Sequence, residues 1–398
     1  MNILVLNCGS SSIKYQLLDM AQTPVLLAKG LVEKIGLPMG NFTHKPEGKE
    51  KWAVEQPITD HTVGMDLILK ALTDANHGVI KSLNEINAVG HRIAHGGEYF
   101  SHSVLITPDV KEKIQACCEI APLHNPAHLK GIETMERLLP KVPQVAVFDT
   151  SFHQTLPEKA YIYGIPYEYY SEYKIRKYGF HGTSHQFVAE KACQILGWDI
   201  TKKKIITCHL GNGASVTAIN GGKSVDTSMG FTPVAGLVMG TRCGDIDSGA
   251  LLYICDKKGL SPAEAVNLTN KESGVFGISG VSSDFRELET AVENGNKRAE
   301  LALDVFAYNV KKYIGAYAAV LNGVDLIIFT GGIGENNMTM RQAICDGLSY
   351  LGVEFDEKAN QVHGEDKIIS APNSRTLLMT ITTDEELVIA TDTLKLVK

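Results

Sequence analysis

The chain has 398 residues, 44% hydrophobic and 21% charged, with a formal net charge of −7. That length allows two or three domains with a sizeable core. An acidic balance with no compensating basic run argues against nucleic-acid binding as a general function. The N-terminus enters a short strand-like run rather than a basic region and a long apolar segment, so no secretory signal is expected. No stretch approaches the ~20 apolar residues of a membrane span. The eight cysteines include the neighbours Cys117 and Cys118 but no C-x-x-C. They read as reduced core thiols in a cytoplasmic protein.

In chain order, ILVLN, SIKYQLLD and VLLAKGLVEKI read as three strands of a meander, and residues 36–52 as a surface loop. HTVGMDLILKALTDA has helical periodicity, INAVGHRI (86–93) is a buried strand, and helices are expected at 108–119 and 126–138. VPQVAVFD is a strand ending at Asp149. The tyrosine-dense YIYGIPYEYYSEYKIRKYGFHG reads as an irregular packed segment, and SHQFVAEKACQILG as a helix with Ser184 as N-cap. A hairpin covers 205–219, and helices are expected at 246–258, 261–271 and 296–321. LIIFT (326–330) is a short buried strand running into GGIGEN, with a helix from about Asn336, and EELVIATDTLKLV is a terminal helix. Short strands before longer helices in both halves favour a mixed α/β architecture. The boundary is expected near residue 150, with the last helix returning to the first half: residues 1–150 plus 385–398 in one lobe, 151–384 in the other.

Two stretches repeat one pattern. ILVLNCGSSSIKYQLLD (3–19) and IITCHLGNGASVTAING (205–221) each read as a strand, a turn of small residues and a returning strand. Such a turn lets backbone N–H groups approach an anion, and two of them suggest a duplicated fold that holds a nucleotide. In the first turn Asn7 could hold a metal or water, Ser10 and Ser12 could bond phosphate, and Lys14 could neutralise charge. The sequence is not a Walker A motif. In the second, Gly211, Asn212 and Gly213 suit close ligand approach, although an Asn-Gly hairpin is common. GGIGEN (331–336) is superficially similar to a dinucleotide fingerprint but sits late in the chain, so a backbone platform against nucleotide fits better.

Arg92 ends a buried strand between two histidines and suits a bidentate grip on carboxylate or phosphate; Arg242 lies in a glycine-rich loop. Either could instead be a structural ion pair. Asp149 ends a strand, where a catalytic or metal-linked carboxylate is expected, and His181 precedes a helix. His91/His95, His124/His128 and His181/His185 have H-x-x-x-H spacing. Helix-breaking neighbours and the lack of H-E-x-x-H argue against zinc.

With these residues in hand, the chain resembles the acetate kinase family of the acetate and sugar kinase, Hsp70 and actin superfamily, nearly end to end. VLNCGSSSIK (5–14) and VGHRIAHGGE (89–98) are the most specific motifs. KYGFHGTSH, HLGNG, MGTRCGDIDSG, SGVSSDFREL, TGGIGEN and DEEL follow in the family's order. The resemblance implies two ribonuclease-H-like lobes of an actin-like α/β fold closing on ATP, a homodimer through the second lobe, and reversible conversion of ATP and acetate to ADP and acetyl phosphate with Mg²⁺, Mn²⁺ being an alternative metal.

By the same resemblance Asn7 and Glu385 lie by the metal, and Arg92 and Arg242 bind substrate and the transferring phosphoryl group. Asp149 is the catalytic carboxylate and His181 steadies the transition state. Lys14, the turn His209, Leu210, Gly211, Asn212 and Gly213, the segment Asp284, Phe285 and Arg286, and the segment Gly331, Gly332, Ile333, Gly334 and Glu335 surround ATP. Ala94, Leu123 and Pro233 wall the acyl pocket. Ala94 replaces the family's usual valine and is a feature of its propionate kinases, so tolerance of a longer acid is expected. An actin- or Hsp70-like ATP-driven binding module is a reading from another class. It explains the two turns but not the paired arginines and small apolar wall.

Overall fold

The computed structural model describes residues 1–398. The chain divides into two compact units, Met1–Ser151 with Asp384–Lys398, and Phe152–Thr383.

The first unit is built on β1 (Asn2–Cys8), β2 (Ser12–Asp19), β3 (Val25–Glu33), β4 (Gly40–Pro46), β5 (Trp52–Gln56), β6 (Ile86–Ile93), β7 (Val104–Leu105) and β8 (Gln144–Phe148). Their order across the sheet is β5-β4-β3-β2-β1-β6-β8-β7. β1, β2 and β3 are antiparallel, whereas β1, β6 and β8 run parallel. The second unit carries β9 (Lys204–Leu210), β10 (Ala214–Asn220), β11 (Lys223–Thr227), β12 (Leu326–Thr330), β13 (Lys367–Ile368) and β14 (Leu377–Thr380), in the order β11-β10-β9-β12-β14-β13. Here too the hairpin strands are antiparallel, and β9, β12 and β14 are parallel. The five-strand pattern β3-β2-β1-β6-β8 thus recurs as β11-β10-β9-β12-β14, the duplicated ribonuclease-H-like order that the resemblance implies.

Alternation along the strands decides which side chains meet. In β1, Leu4, Leu6 and Cys8 face one core layer, with Met65, Ile68 and Leu69 of the helix His61–Leu72. Ile3 and Val5 face the other, with Ile389 and Ala390 of the terminal helix Glu385–Val397. Gly90 lets that helix approach, since a Cβ there would come 2.5 Å from Thr393 Oγ1. By parity Asn7 follows Ile3 and Val5, Arg92 follows Ala88 and Gly90, and Asp149 follows Val145 and Val147. All three therefore fall on the terminal-helix face, at the carboxyl ends of parallel strands. This is where open α/β sheets place their ligands.

Three local expectations need correction. Residues 36–52 are not simply a loop, because β4 lies within them. Its inward residues are Gly40, Phe42, His44 and Pro46, so alternation is present without an apolar signature. His44 is buried by a 2.5 Å hydrogen bond between its Nδ1 and the Tyr15 hydroxyl. GGIGEN is itself a helical turn, Gly331–Asn336, followed by the helix Met338–Cys345. Ser184 is not an N-cap: the helix Gly182–Leu196 starts two residues earlier, with His181 at the N-cap. The tyrosine-rich segment holds two short helices, Glu158–Tyr161 and Glu168–Tyr173, and Arg176 stacks 3.6 Å over the Tyr161 ring. Cys8, Cys117, Cys193, Cys208 and Cys345 are buried thiols. Burial pushes Cys8 and Cys117 up to about 12. No helix is long and apolar enough to cross a membrane.

Candidate active site

In the first unit the strand ends bring charge together. Arg92 donates from Nε to Asp149 Oδ1 at 3.0 Å and from Nη2 to Oδ2 at 2.7 Å. Asp149 is 2% exposed, and its backbone N–H donates to Ile93 O at 3.0 Å. The bidentate pair fixes the plane of the guanidinium and leaves Nη1 outside it. Asp149 holds the Arg92 guanidinium protonated well beyond its ordinary range, against the opposing effect of burial.

Glu385 opens the terminal helix, whose N-cap Asp384 accepts from Leu387 N–H. Glu385 Oε1 is buried and has no hydrogen-bond partner. Burial raises its carboxyl above the usual range, and Arg92 partly opposes this. A partnerless buried carboxylate oxygen among fixed charges is costly unless something neutralises it. Asn7 lies on the same sheet face, and carboxylate and amide oxygens are the donors a hard divalent cation prefers. Lys14, one register step from the first turn opposite Asn7, makes an ion pair with Glu386.

Asn125 secures the strand-end loop beyond Ile93. Its Oδ1 accepts from His95 N–H at 3.2 Å, and its Nδ2 donates to His95 O at 2.8 Å. Ala94 is 8% exposed beside this loop. Leu123, 54% exposed, lines a separate cavity of about 400 Å³ with Pro122, Pro126 and Lys130, which Ala94 does not border.

In the second unit the chemistry is largely neutral. His181 caps its helix with φ of 56°, an uncommon left-handed conformation for a bulky residue. His181 Nδ1 lies 2.9 Å from Ser215 Oγ. Its ring sits 4.3 Å from that of His209, which is 2.8 Å from Ser184 Oγ through Nδ1. Arg242 and His181 flank Gly213: a Cβ there would lie 3.3 Å from Arg242 Nη1 and 3.5 Å from His181 Nε2. Gly240 is required beside the turn, because a Cβ would overlap Asn212 Oδ1. Gly240 N–H also donates to Asn212 O at 3.0 Å. Pro233 is half-buried in the loop that leads to Arg242.

A cavity of about 720 Å³ lies wholly within this unit. It gathers predicted residues Gly211, Asn212, Asp284, Phe285, Arg286, Gly332 and Ile333. Its volume and mixed lining suit a nucleoside. Asp284 N-caps the helix Phe285–Glu293 and pairs with Arg286 at 2.6 Å; that hydrogen bond brings its carboxyl down to about 2. Glu335 has a supporting role. Its Oε1 accepts from Gly331 N–H at 3.0 Å, Thr330 Oγ1 at 3.2 Å and Thr383 N–H at 3.0 Å, so it ties the GGIGEN turn in place.

Asn337, Met338 and His363 also line the cavity and were not anticipated. Asn337 carried a readable signal, since its side chain caps the next helix by accepting from Met340 N–H at 2.8 Å. His363 had none, being brought in from a distant loop.

The family model described as the acetokinase family matches residues 2–391. An acetate kinase of Desulfitobacterium hafniense is 57% identical over 399 residues, covering 100% of both chains. The crystal structure of Porphyromonas gingivalis acetate kinase superposes with a TM-score of 0.96 at 50% identity, covering 100% of each chain. A propionate kinase from Francisella tularensis superposes with a TM-score of 0.92 at 44% identity, covering 99% of each.

Proposed function

The chain belongs to the acetokinase family, and we propose that it transfers the γ-phosphoryl group of ATP to acetate, reversibly and directly in line, giving acetyl phosphate and ADP. Within the site, the observation that carries this reading is the Arg92–Asp149 pair beside the partnerless oxygen of Glu385.

Acetate is already an ionised nucleophile, so the reaction asks little of a general base. Its barrier is the repulsion of two anions and the charge spread over the equatorial phosphoryl oxygens. Arg92 keeps two donors on Asp149 and has Nη1 to spend on acetate or phosphoryl oxygen. Asp149 positions that arginine and takes no proton. Arg242 and His181, on either side of Gly213, donate to the equatorial oxygens. Gly211, Asn212 and Gly213 approach the phosphates, and Lys14 adds charge. The cavity lined by Asp284, Phe285, Arg286, Gly332 and Ile333 takes the nucleoside. His209, Leu210, Gly331, Gly334 and Glu335 support that wall.

Asn7 and Glu385 would hold Mg²⁺, with Mn²⁺ served by the same oxygens. When bound, the ion neutralises phosphate charge and orients the transferred group.

The chain is also read as a homodimer joined through the second unit. The helix Ser248–Lys258 supports this, since it buries none of its residues and exposes Leu252 at 68% and Tyr253 at 63%.

A hydroxamate assay with ATP, Mg²⁺ and acetate tests the reaction. Acyl phosphate formation is expected. ATP hydrolysis without it would favour an ATP-driven binding module. A labelled phosphoenzyme trapped in a single turnover would reject direct transfer.

Ala94 supports a second reading, tolerance of propionate, because a valine there would add two methyl groups. The expected result is a propionate-to-acetate ratio of kcat/KM that falls ~10- to 200-fold in Ala94→Val, the range of one methylene. An unchanged ratio rejects it.

A further inference from the structure

We propose that His185 is a positioning residue that acts through Ser215 to hold His181 in the tautomer presenting Nε2–H on the side lined by Arg242. This rests on the reading that His181 donates to the transferring phosphoryl group. Ser215 Oγ lies between two imidazoles, 2.9 Å from His181 Nδ1 and 2.7 Å from His185 Nε2. His185 Nδ1 is 2.7 Å from Thr207 Oγ1. His185, Ser215 and Thr207 are all 0% exposed. The four groups form one chain, and each hydroxyl in it has one proton to give.

The chain can run in two directions. In the first, Thr207 donates to His185 Nδ1, His185 Nε2–H donates to Ser215, and Ser215 donates to His181 Nδ1. The proton of His181 then sits on Nε2. In the reverse direction His181 Nδ1–H donates to Ser215, Ser215 to His185, and His185 to Thr207. His181 Nε2 is then a bare acceptor, which repels a phosphoryl oxygen.

Thr207 decides between them. Its hydroxyl has His185 as its hydrogen-bond partner, so the reverse direction leaves a fully buried O–H with no acceptor. That penalty falls on one direction alone. In the first direction the Thr207, His185 and Ser215 donors all meet an acceptor in the chain.

The rings facing His185 are His153 at 5.8 Å, His209 at 6.2 Å and His181 at 6.5 Å. Burial, with His153 and His209 nearby, keeps His185 neutral, with its pKa far below the ordinary value. A neutral His185 can relay a tautomer preference without adding charge. The sequence offers a simple rationale: His181 and His185 are one helical turn apart, so both reach the hydroxyl on the strand beneath.

The test uses the full chain. In ¹⁵N-histidine spectra between about pH 6 and pH 8, His181, assigned with His181→Gln, should carry its proton on Nε2. Ser215→Ala and His185→Phe should lower kcat for acyl phosphate formation roughly 10- to 100-fold near pH 8. That is less than the 10²–10³-fold for losing a donor outright. KM for acetate and ATP should change little.

His185→Gln should stay within a few-fold of the parent, since its amide can accept from Thr207 and donate to Ser215. A proton on His181 Nδ1 in the parent protein overturns the proposal. So does a His185→Gln as impaired as His185→Phe. Where variants fail to fold, the parent spectrum decides. A parent that makes no acyl phosphate refutes the functional reading, while its spectrum still tests the relay.

Discussion

The two hairpins occupy the same place in two sheets of the same order, and their chemistry differs. One step from the turn, Asn7 pairs in register with Lys14 in the first unit, and His209 with Ser215 in the second. The first position sits among charges: Arg92 on Asp149, Lys14 on Glu386, and a partnerless Glu385 oxygen. The second belongs to a network of imidazoles and hydroxyls around a glycine turn. A duplicated scaffold therefore dictates where functional groups stand but not which groups they are. One unit gathers paired charge at that position, the other imidazoles and hydroxyls beside a glycine turn.

If that contrast is right, removing a charge in the first unit costs most. Asp149→Asn keeps the volume but releases Arg92 from its fork. A kcat loss on the order of 10²- to 10³-fold is expected, with about 2 kcal/mol of stability lost with the charge-assisted bonds. Steady-state kinetics and denaturant titration check both numbers, and a kcat within a few-fold of the parent would break the comparison.

A change without charge should be the damaging one in the second unit. Gly240→Ala drives a methyl into Asn212 Oδ1. It is expected to raise KM for ATP about tenfold, some 1.4 kcal/mol of lost binding, with a smaller effect on kcat. Equal ATP affinity in parent and variant would show that Asn212 does not need its present position.

A pH dependence belongs to the first unit, which holds both His91 and Glu385. His91 is 2% exposed, 2.6 Å from Gln144 Oε1 through Nε2, and burial lowers its pKa from 6.5 to about 4. The unfolded chain binds this proton at higher pH than the folded one. The stabilisation is therefore full above about 6.5 and is lost as pH falls through about 4, amounting to about 3 kcal/mol over the window. Glu385 works the other way: its raised pKa contributes at low pH and is lost as pH rises through its folded value. His91→Gln should flatten the fall in unfolding free energy between those limits. An unchanged slope would mean His91 is not the group responsible.

Much of this was legible in the chain. The run INAVGHRI gave the strand Ile86–Ile93 to the residue, because its apolar residues Ile86, Ala88, Val89 and Ile93 are all buried and only Asn87 is exposed. Its last polar residue, Arg92, and Asp149 just past QVAVF stood out as charges at the ends of such runs. β4 was missed because its inward-facing His44 looks polar until the Tyr15 hydroxyl is known to meet it.

The sequence by itself determined the strand and helix periodicities, the glycine turns and the residue types at the strand ends, since these depend on neighbours a few positions apart. Only the tertiary structure decided that Arg92 spends two donors on a residue 57 positions away, and that Glu385 keeps an oxygen without a partner. It also decided that Ser215 stands between two imidazoles. Hydrogen-bond direction, burial and charge pairing are set by groups distant in the chain, and no local pattern encodes them.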